Sequence, residues 1–340
     1  MKQYLQMLIN KESLSQEEMK DVAAALFCED ISDSEMAGFL IALKAKGETP
    51  DEITGLVEVL RQHALPFANQ YPGVMDNCGT GGDGSQSFNI STTSAFVIAG
   101  AGIKVAKHGN RSVSSKTGSA DVLEILGVNL ELPASYSEEL LQEIGITFLY
   151  APHVHPHVKR IMKVRRELKI PTIFNLIGPL TNPVELEYQL LGLYERKYVT
   201  LFADVLRRLG RKRAVVVNGA GFMDEASLQG ENHVAVLENG QISNLIFTAE
   251  EAGLQSASND EIKGGDARDN ADILLNVLKG KQGAHRDAVL LNAGLGIYAG
   301  AKAATVKEGV EIAKESVDSG RAYATLQSLI EKSQKLEVMR

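Results

Sequence analysis

From residue 74 to residue 217 the chain alternates short apolar runs with stretches of helical spacing. Val74-Met75, Ile103–Ala106, Ile146–Tyr150, Tyr188–Tyr194 and Ala214–Val217 read as strands. Helices are predicted from Ser91 to Ala101, from Ser119 to Leu126 and over 197–209, and again over 270–280 and 305–331. Such alternation predicts an α/β domain with a mainly parallel sheet. The first 65 residues differ. Ser15 with Glu18, Ser32 with Glu35, and Thr49 with Glu52 each form a capping box, and Pro50 takes the first helical position of the third. Met36, Phe39, Leu40 and Leu43 share one helical face, which Gly47 can end. The expected organisation is a small N-terminal α-helical domain over 1–68 and a larger α/β domain over 69–155 and 184–340. A basic helix and loop near 156–183 interrupt the alternation and return to the helical unit. No internal repeat or low-complexity linker stands out.

Charge and composition narrow the function. The net charge is −8, which opposes broad binding to nucleic acid or anionic membranes. There is no run of eighteen apolar residues, so no membrane span is expected. The N-terminal stretch lacks the apolar core and small-residue site of a signal peptide. Cys28 and Cys78 stand far apart without metal spacing, and a reduced, cytoplasmic setting is expected. One stretch is locally basic: Lys104, Lys107, Arg111 and Lys116 occur without an intervening acid. That suits a small anionic ligand, although a solvated loop gives the same clustering.

Five segments carry candidate chemistry. The run Gly79-Thr80-Gly81-Gly82-Asp83-Gly84 can take positive φ and approach a ligand closely, and its N–H groups can form an anion-binding concavity. It matches the dinucleotide spacing, but the stretch about 20 residues on is basic where a ribose-binding acid is wanted. No lysine with a following hydroxyl residue completes a P-loop. Asn89-Ile90-Ser91-Thr92 opens the next helix, where hydroxyl residues cap and also present N–H groups to phosphate. The stretch from Lys107 to Lys116 follows a predicted strand and should lie at the same sheet edge as the glycine run. Asp224-Glu225 follows the strand Val215–Val217, where adjacent carboxylates can hold Mg²⁺. Arg165 can grip a carboxylate or lie on a solvated basic helix, and the sequence does not choose. His153, His155 and His157 lack metal spacing and read as a loop and helix start.

Together, Gly79–Asp83, Asn89–Thr92, Lys107–Ser115, Thr172–Pro183 (TIFNLIGPLTNP) and Met223-Asp224-Glu225 resemble the anthranilate phosphoribosyltransferase family, in its order and at its length. The resemblance implies a helical domain hinged to an α/β domain, and homodimers formed through the helical domain. It implies transfer of the phosphoribosyl group of 5-phosphoribosyl-1-diphosphate to anthranilate, the second step of tryptophan biosynthesis from chorismate. The phosphoribosyl donor would be bound by Gly79, Gly82, Asp83, Ser87, Asn89, Ile90, Ser91, Thr92, Lys107, His108, Gly109, Asn110, Arg111, Ser112, Val113, Ser114, Ser115 and Ser119. Ser91, Asp224 and Glu225 would hold two Mg²⁺ ions. Asn110 and Arg165 would bind anthranilate. Lys107, His108 and Arg165 are the catalytic candidates, His108 as a proton acceptor or as a channel wall. Ser87, Phe222 and His157 depart from common family residues without removing a ligand group.

Two rivals remain. Thr117–Glu124 is similar to part of the pyrimidine-nucleoside phosphorylase signature, but the glycine run with Asp224-Glu225 favours a diphosphate and metals. A silent relative that binds nucleic acid would want lost site residues and a basic surface.

Overall fold

A computed structural model describes residues 1–28, 31–111 and 117–338. The N-terminal segment forms α1 (Lys2–Ile9), α2 (Gln16–Leu26), α3 (Asp33–Lys46) and α4 (Pro50–Gln62). All three capping boxes form: the Ser15, Ser32 and Thr49 side chains accept from the N–H groups of Glu18, Glu35 and Glu52, whose carboxylates accept in return. Each box satisfies two helix-end donors and fixes where its helix begins. Met36, Phe39, Leu40 and Leu43 are fully buried, as their spacing predicts. The segment 156–183 rejoins these helices. Ile161, Val164, Ile173, Leu176 and Ile177 enter the same apolar core. Arg160 Nε and Lys163 Nζ donate to Asp33, at 3.1 and 2.8 Å.

The strands are β1 (Met75–Asp76), β2 (Val105–Gly109), β3 (Ile146–Tyr150), β4 (Tyr188–Gly192), β5 (Arg213–Asn218), β6 (Asn232–Glu238) and β7 (Gln241–Phe247). They form one sheet in the order β3-β2-β1-β4-β5-β6-β7. Pairing is parallel from β3 through β5 and antiparallel from β5 to β7. From β1 the chain first proceeds to β2 on one side and later to β4 on the other. The crevice between β1 and β4 is therefore the topological switch point, where open sheets of this kind bind ligands.

Strand alternation gives the sheet two distinct faces. Met75, Val105, Leu190, Val215 and Val217 enter the larger core, packed with α5 (Ile90–Gly100) and the C-terminal helices. Leu191, Ala214 and Val216 point to the other face and join the core of the helical unit.

Several elements differ from the expectations, among them the helix Ala134–Glu143, which was not predicted. The hairpin β6–β7 was not anticipated, because β7 is largely exposed and has no apolar stripe. Its signal was Asn239-Gly240, both at positive φ, the dipeptide preferred in two-residue hairpin turns. The helix Ala284–Ala299 also escaped notice: it is buried nearly all round, so it lacks an amphipathic period. The predicted helix 305–331 is two helices, Val306–Asp318 and Arg321–Val338, separated at Gly320 with φ +78°.

Candidate active site

The glycine run leaves β1 and crosses the ends of β1 and β4. Gly79 pairs with Gly192 in a parallel bridge, and the Thr80 N–H donates to the Gly192 carbonyl at 3.0 Å. Gly81, Gly82 and Gly84 all take positive φ. Gly79 answers a different need. A methyl group there would stand 2.3 Å from Asp224 Oδ2, so only glycine lets the loop lie against that carboxylate. The Gly81 N–H donates to the same oxygen at 2.6 Å.

Asp83 of the loop converges with Asp224 and Glu225 beneath it. Asp83, Asp224 and Glu225 each bring a carboxylate oxygen within 4.8 Å of the others. The Asp224 N–H donates to Asp83 Oδ2 at 3.3 Å, and Ser87 Oγ donates to Glu225 Oε2 at 3.4 Å. Asp83 Oδ1 accepts from the N–H and hydroxyl of Ser85. Burial, then the charge of Asp83, pushes the Asp224 carboxyl up to about 7. Burial and the charge of Asp224 push Glu225 well above the usual carboxylate range. Crowded, desolvated acids of one sign are a place where a cation lowers the energy. The sequence pointed to Asp224 and Glu225; the fold adds Asp83 from the facing loop.

The N-terminus of α5 borders the same space. Asn89 is the N-cap residue, but its side chain makes no capping bond and instead accepts from Asn270 Nδ2 at 2.9 Å. Ser91 and Thr92 thus lie inside the first turn rather than capping it. The Ser91 N–H reaches the Glu225 carboxylate. The Ile90 side chain is fully buried in the apolar core, which leaves only its backbone for a ligand. Thr92 is buried with Oγ1 unpartnered, and it lines one small pocket with Lys107.

Residues 107–109 belong to β2 itself rather than to the loop after it. The alternation therefore separates two neighbours. Lys107 points to the α5 face, where its Nζ donates to Asn77 Oδ1 at 3.3 Å. His108 points to the helical-unit face, where its Nδ1 donates to the Gly178 carbonyl at 3.2 Å. There it meets His155, ring centroids 5.3 Å apart. Burial pulls His108 down to about 3 and His155 to about 4, so both imidazoles are neutral near pH 7. The sequence read His155 only as part of a loop and helix start, not as a neighbour of His108.

Gly109 ends β2 with no room for a side chain: a methyl group would stand 2.4 Å from Ser119 Oγ. The Asn110 carbonyl accepts from Ser119 Oγ and from the Ala120 N–H. Arg111 is exposed, and its guanidinium pairs with Asp121 and Glu124 at 3.1 and 2.8 Å. Ser112, Val113, Ser114 and Ser115 lie outside the described residues. Arg165 sits apart from the acids, on the helix Lys159–Leu168. Its Nη2 donates to Asn175 Oδ1 at 3.3 Å, and its guanidinium lies 5.5 Å from the Phe174 ring centroid. Among the described residues no carboxylate pairs with it.

Comparison with known proteins finds two family models that match the chain. Residues 2–64 match the helical bundle domain of a glycosyl transferase family, and residues 71–323 match that family's α/β domain. An anthranilate phosphoribosyltransferase of Bacillus mycoides is 56% identical over 338 residues, 99% of each chain. The structure of the anthranilate phosphoribosyltransferase from Thermus thermophilus aligns with a TM-score of 0.92 at 40% identity, over 97% of this chain and 99% of that one. The Saccharomyces cerevisiae enzyme, solved in complex with PRPP and Mg, aligns with a TM-score of 0.89 at 26% identity, over 98% of this chain and 97% of that one.

Proposed function

The chain belongs to the anthranilate phosphoribosyltransferase family, and from that membership we propose how the two faces of its sheet divide the reaction. The enzyme transfers the phosphoribosyl group of 5-phosphoribosyl-1-diphosphate to the amine of anthranilate, in tryptophan biosynthesis. The observation that carries the assignment of roles is the cluster that Asp83 of the glycine run forms with Asp224 and Glu225, at the switch point of the sheet.

On the α5 face, the N–H groups of the glycine run, the first turn of α5 and Lys107 orient the diphosphate. The three carboxylates and the hydroxyls of Ser87 and Ser91 are hard oxygen donors, a set that suits Mg²⁺. Two Mg²⁺ ions fit the proposal, held by Ser91, Asp224 and Glu225 with Asp83 alongside. Bound there, Mg²⁺ supplies positive charge against the departing diphosphate. Gly82, Asn89, Asn110, Arg111 and the stretch 112–115 complete the donor side.

Across the sheet, Arg165 and Asn110 take anthranilate, the guanidinium gripping its carboxylate. The amine nitrogen bonds to the anomeric carbon as the bond from that carbon to the diphosphate oxygen breaks. The nitrogen then loses a proton to solvent, since an aniline so substituted needs no strong base. His108 is too weak a base to serve well, because burial opposes its charged form. It acts instead as a wall beside His155. Positioning and electrostatics thus supply the catalysis.

The helical unit is assigned 1–68 with the return near 156–183, the remainder forming the phosphoribosyl-binding domain. A homodimer through the helical unit and a cytoplasmic setting belong to the same proposal. No helix among the described residues is long and apolar enough to cross a membrane. The test is the loss of anthranilate fluorescence with and without the donor and Mg²⁺. Consumption that needs both supports the reading, and phosphorolysis of pyrimidine nucleosides instead would replace it.

A further inference from the structure

We infer that Asn182 and Asp76 are positioning residues for the anthranilate side of the site, acting through the segment from Gly178 to Val184. The inference rests on the proposed placement of anthranilate beside Arg165.

Asp76 and Asn182 are both fully buried on the helical-unit face. Asn182 Nδ2 donates to Asp76 Oδ2 at 3.0 Å and to the Ala106 carbonyl at 2.7 Å. Its Oδ1 accepts from the Val184 N–H at 3.0 Å. Asp76 Oδ1 accepts in turn from the His108 N–H at 3.3 Å. One amide thus ties the segment to β1 and β2 at once. Gln189 on β4 adds a third tie, its Nε2 donating to the Pro179 carbonyl at 2.7 Å. The Gly178 carbonyl holds the His108 ring, as described above. Just upstream, Phe174 and Asn175 contact Arg165. The chain of contacts therefore runs from strand side chains, through a segment without ladder bonds, to the His108 ring, and just upstream to Arg165, the proposed wall and the proposed carboxylate grip of the anthranilate side.

Packing alone does not account for this arrangement. A buried carboxylate is expensive to desolvate, and an apolar pair of similar volume commonly stabilises as well. Burial indeed raises Asp76 to about 6. What the polar pair provides is direction: each donor meets one acceptor, so the segment has one register.

The test compares Asn182→Ala and the volume-conserving Asp76→Asn with wild type, measuring KM for each substrate, kcat and melting temperature. Arg165→Ala is measured alongside. Asn182→Ala is expected to raise the anthranilate KM about tenfold, the loss of one or two buried hydrogen bonds. The donor KM is expected to stay within about twofold, because Lys107 and the glycine run lie on the other face. Asp76→Asn keeps the side-chain volume and serves as the second variant should Asn182→Ala not fold; it is expected to move the anthranilate KM by about threefold. If both KM values move together, or neither moves while the melting temperature falls, the pair is only structural and the inference fails. If Arg165→Ala raises the anthranilate KM and the Asn182 and Asp76 variants do not, the inference alone falls. If Arg165→Ala changes nothing, the placement of anthranilate falls with it.

Discussion

Lys107 and His108 are adjacent in sequence and serve opposite sides of one sheet. On the side of Lys107 the site is made from backbone N–H groups, short side chains and three crowded acids. On the side of His108 it is made from buried side chains that hold a loop in place. The first construction is built around charge and needs little side-chain volume. The second is built around shape and leaves few charged groups free. In the proposed division of the reaction, the first environment takes an anion flanked by cations and the second a flat aromatic acid.

The largest expected effect breaks the charged side. Asp224→Asn with Glu225→Gln should lower turnover by about 10²–10³-fold, the scale for losing transition-state charge stabilisation. Turnover unchanged across a Mg²⁺ titration would refute the metal assignment. Gly79→Ala comes next. Its methyl group would press on Asp224 Oδ2 at 2.3 Å, and overpacking of this kind costs about 1–3 kcal/mol. Turnover should fall about tenfold or more while the anthranilate KM changes little; a fully active variant would mean that the loop and the acids are not held together.

The last effect, on stability rather than turnover, sharpens the side of His108. His155 titrates near 4 in the folded chain against the usual 6.5. Between those values the unfolded chain holds the extra proton, so this residue withdraws stability as pH falls through the window. Asp76, raised from 3.8 to about 6, has the opposite sign: its folded form gains a proton first, so its penalty fades on acidification. Wild-type stability mixes the two signs, so the useful quantity is a difference. His155→Gln should gain roughly 2 kcal/mol relative to wild type between pH 8 and pH 5. Denaturant midpoints at the two pH values check it, and a pH-independent difference would show that burial does not keep His155 neutral.

Much of the fold was legible. The three capping boxes form as written, because a cap is a local contract among four residues. The parallel strands were found within two or three residues of their positions. The buried helix Ala284–Ala299 was not, since burial on every side erases periodicity. In the site, Asp224 and Glu225 were visible through their place after a strand, and the glycine run through its composition. Asp83 as a partner of those acids, His155 beside His108, and the Asp76–Asn182 pair were not visible. Each depends on residues far apart in the chain.

The sequence determined the glycine run from Gly79 to Gly84, the capped helices and the succession of parallel strands along the chain, because turn conformation, capping and alternation act over a few residues. Tertiary structure decided what the glycines are for. Gly81, Gly82 and Gly84 take positive φ, a local property. Gly79 is glycine because Asp224, 145 positions later, occupies the space of its missing side chain. Only the parallel sheet, by bringing β1, β4 and β5 side by side, puts those two residues in contact.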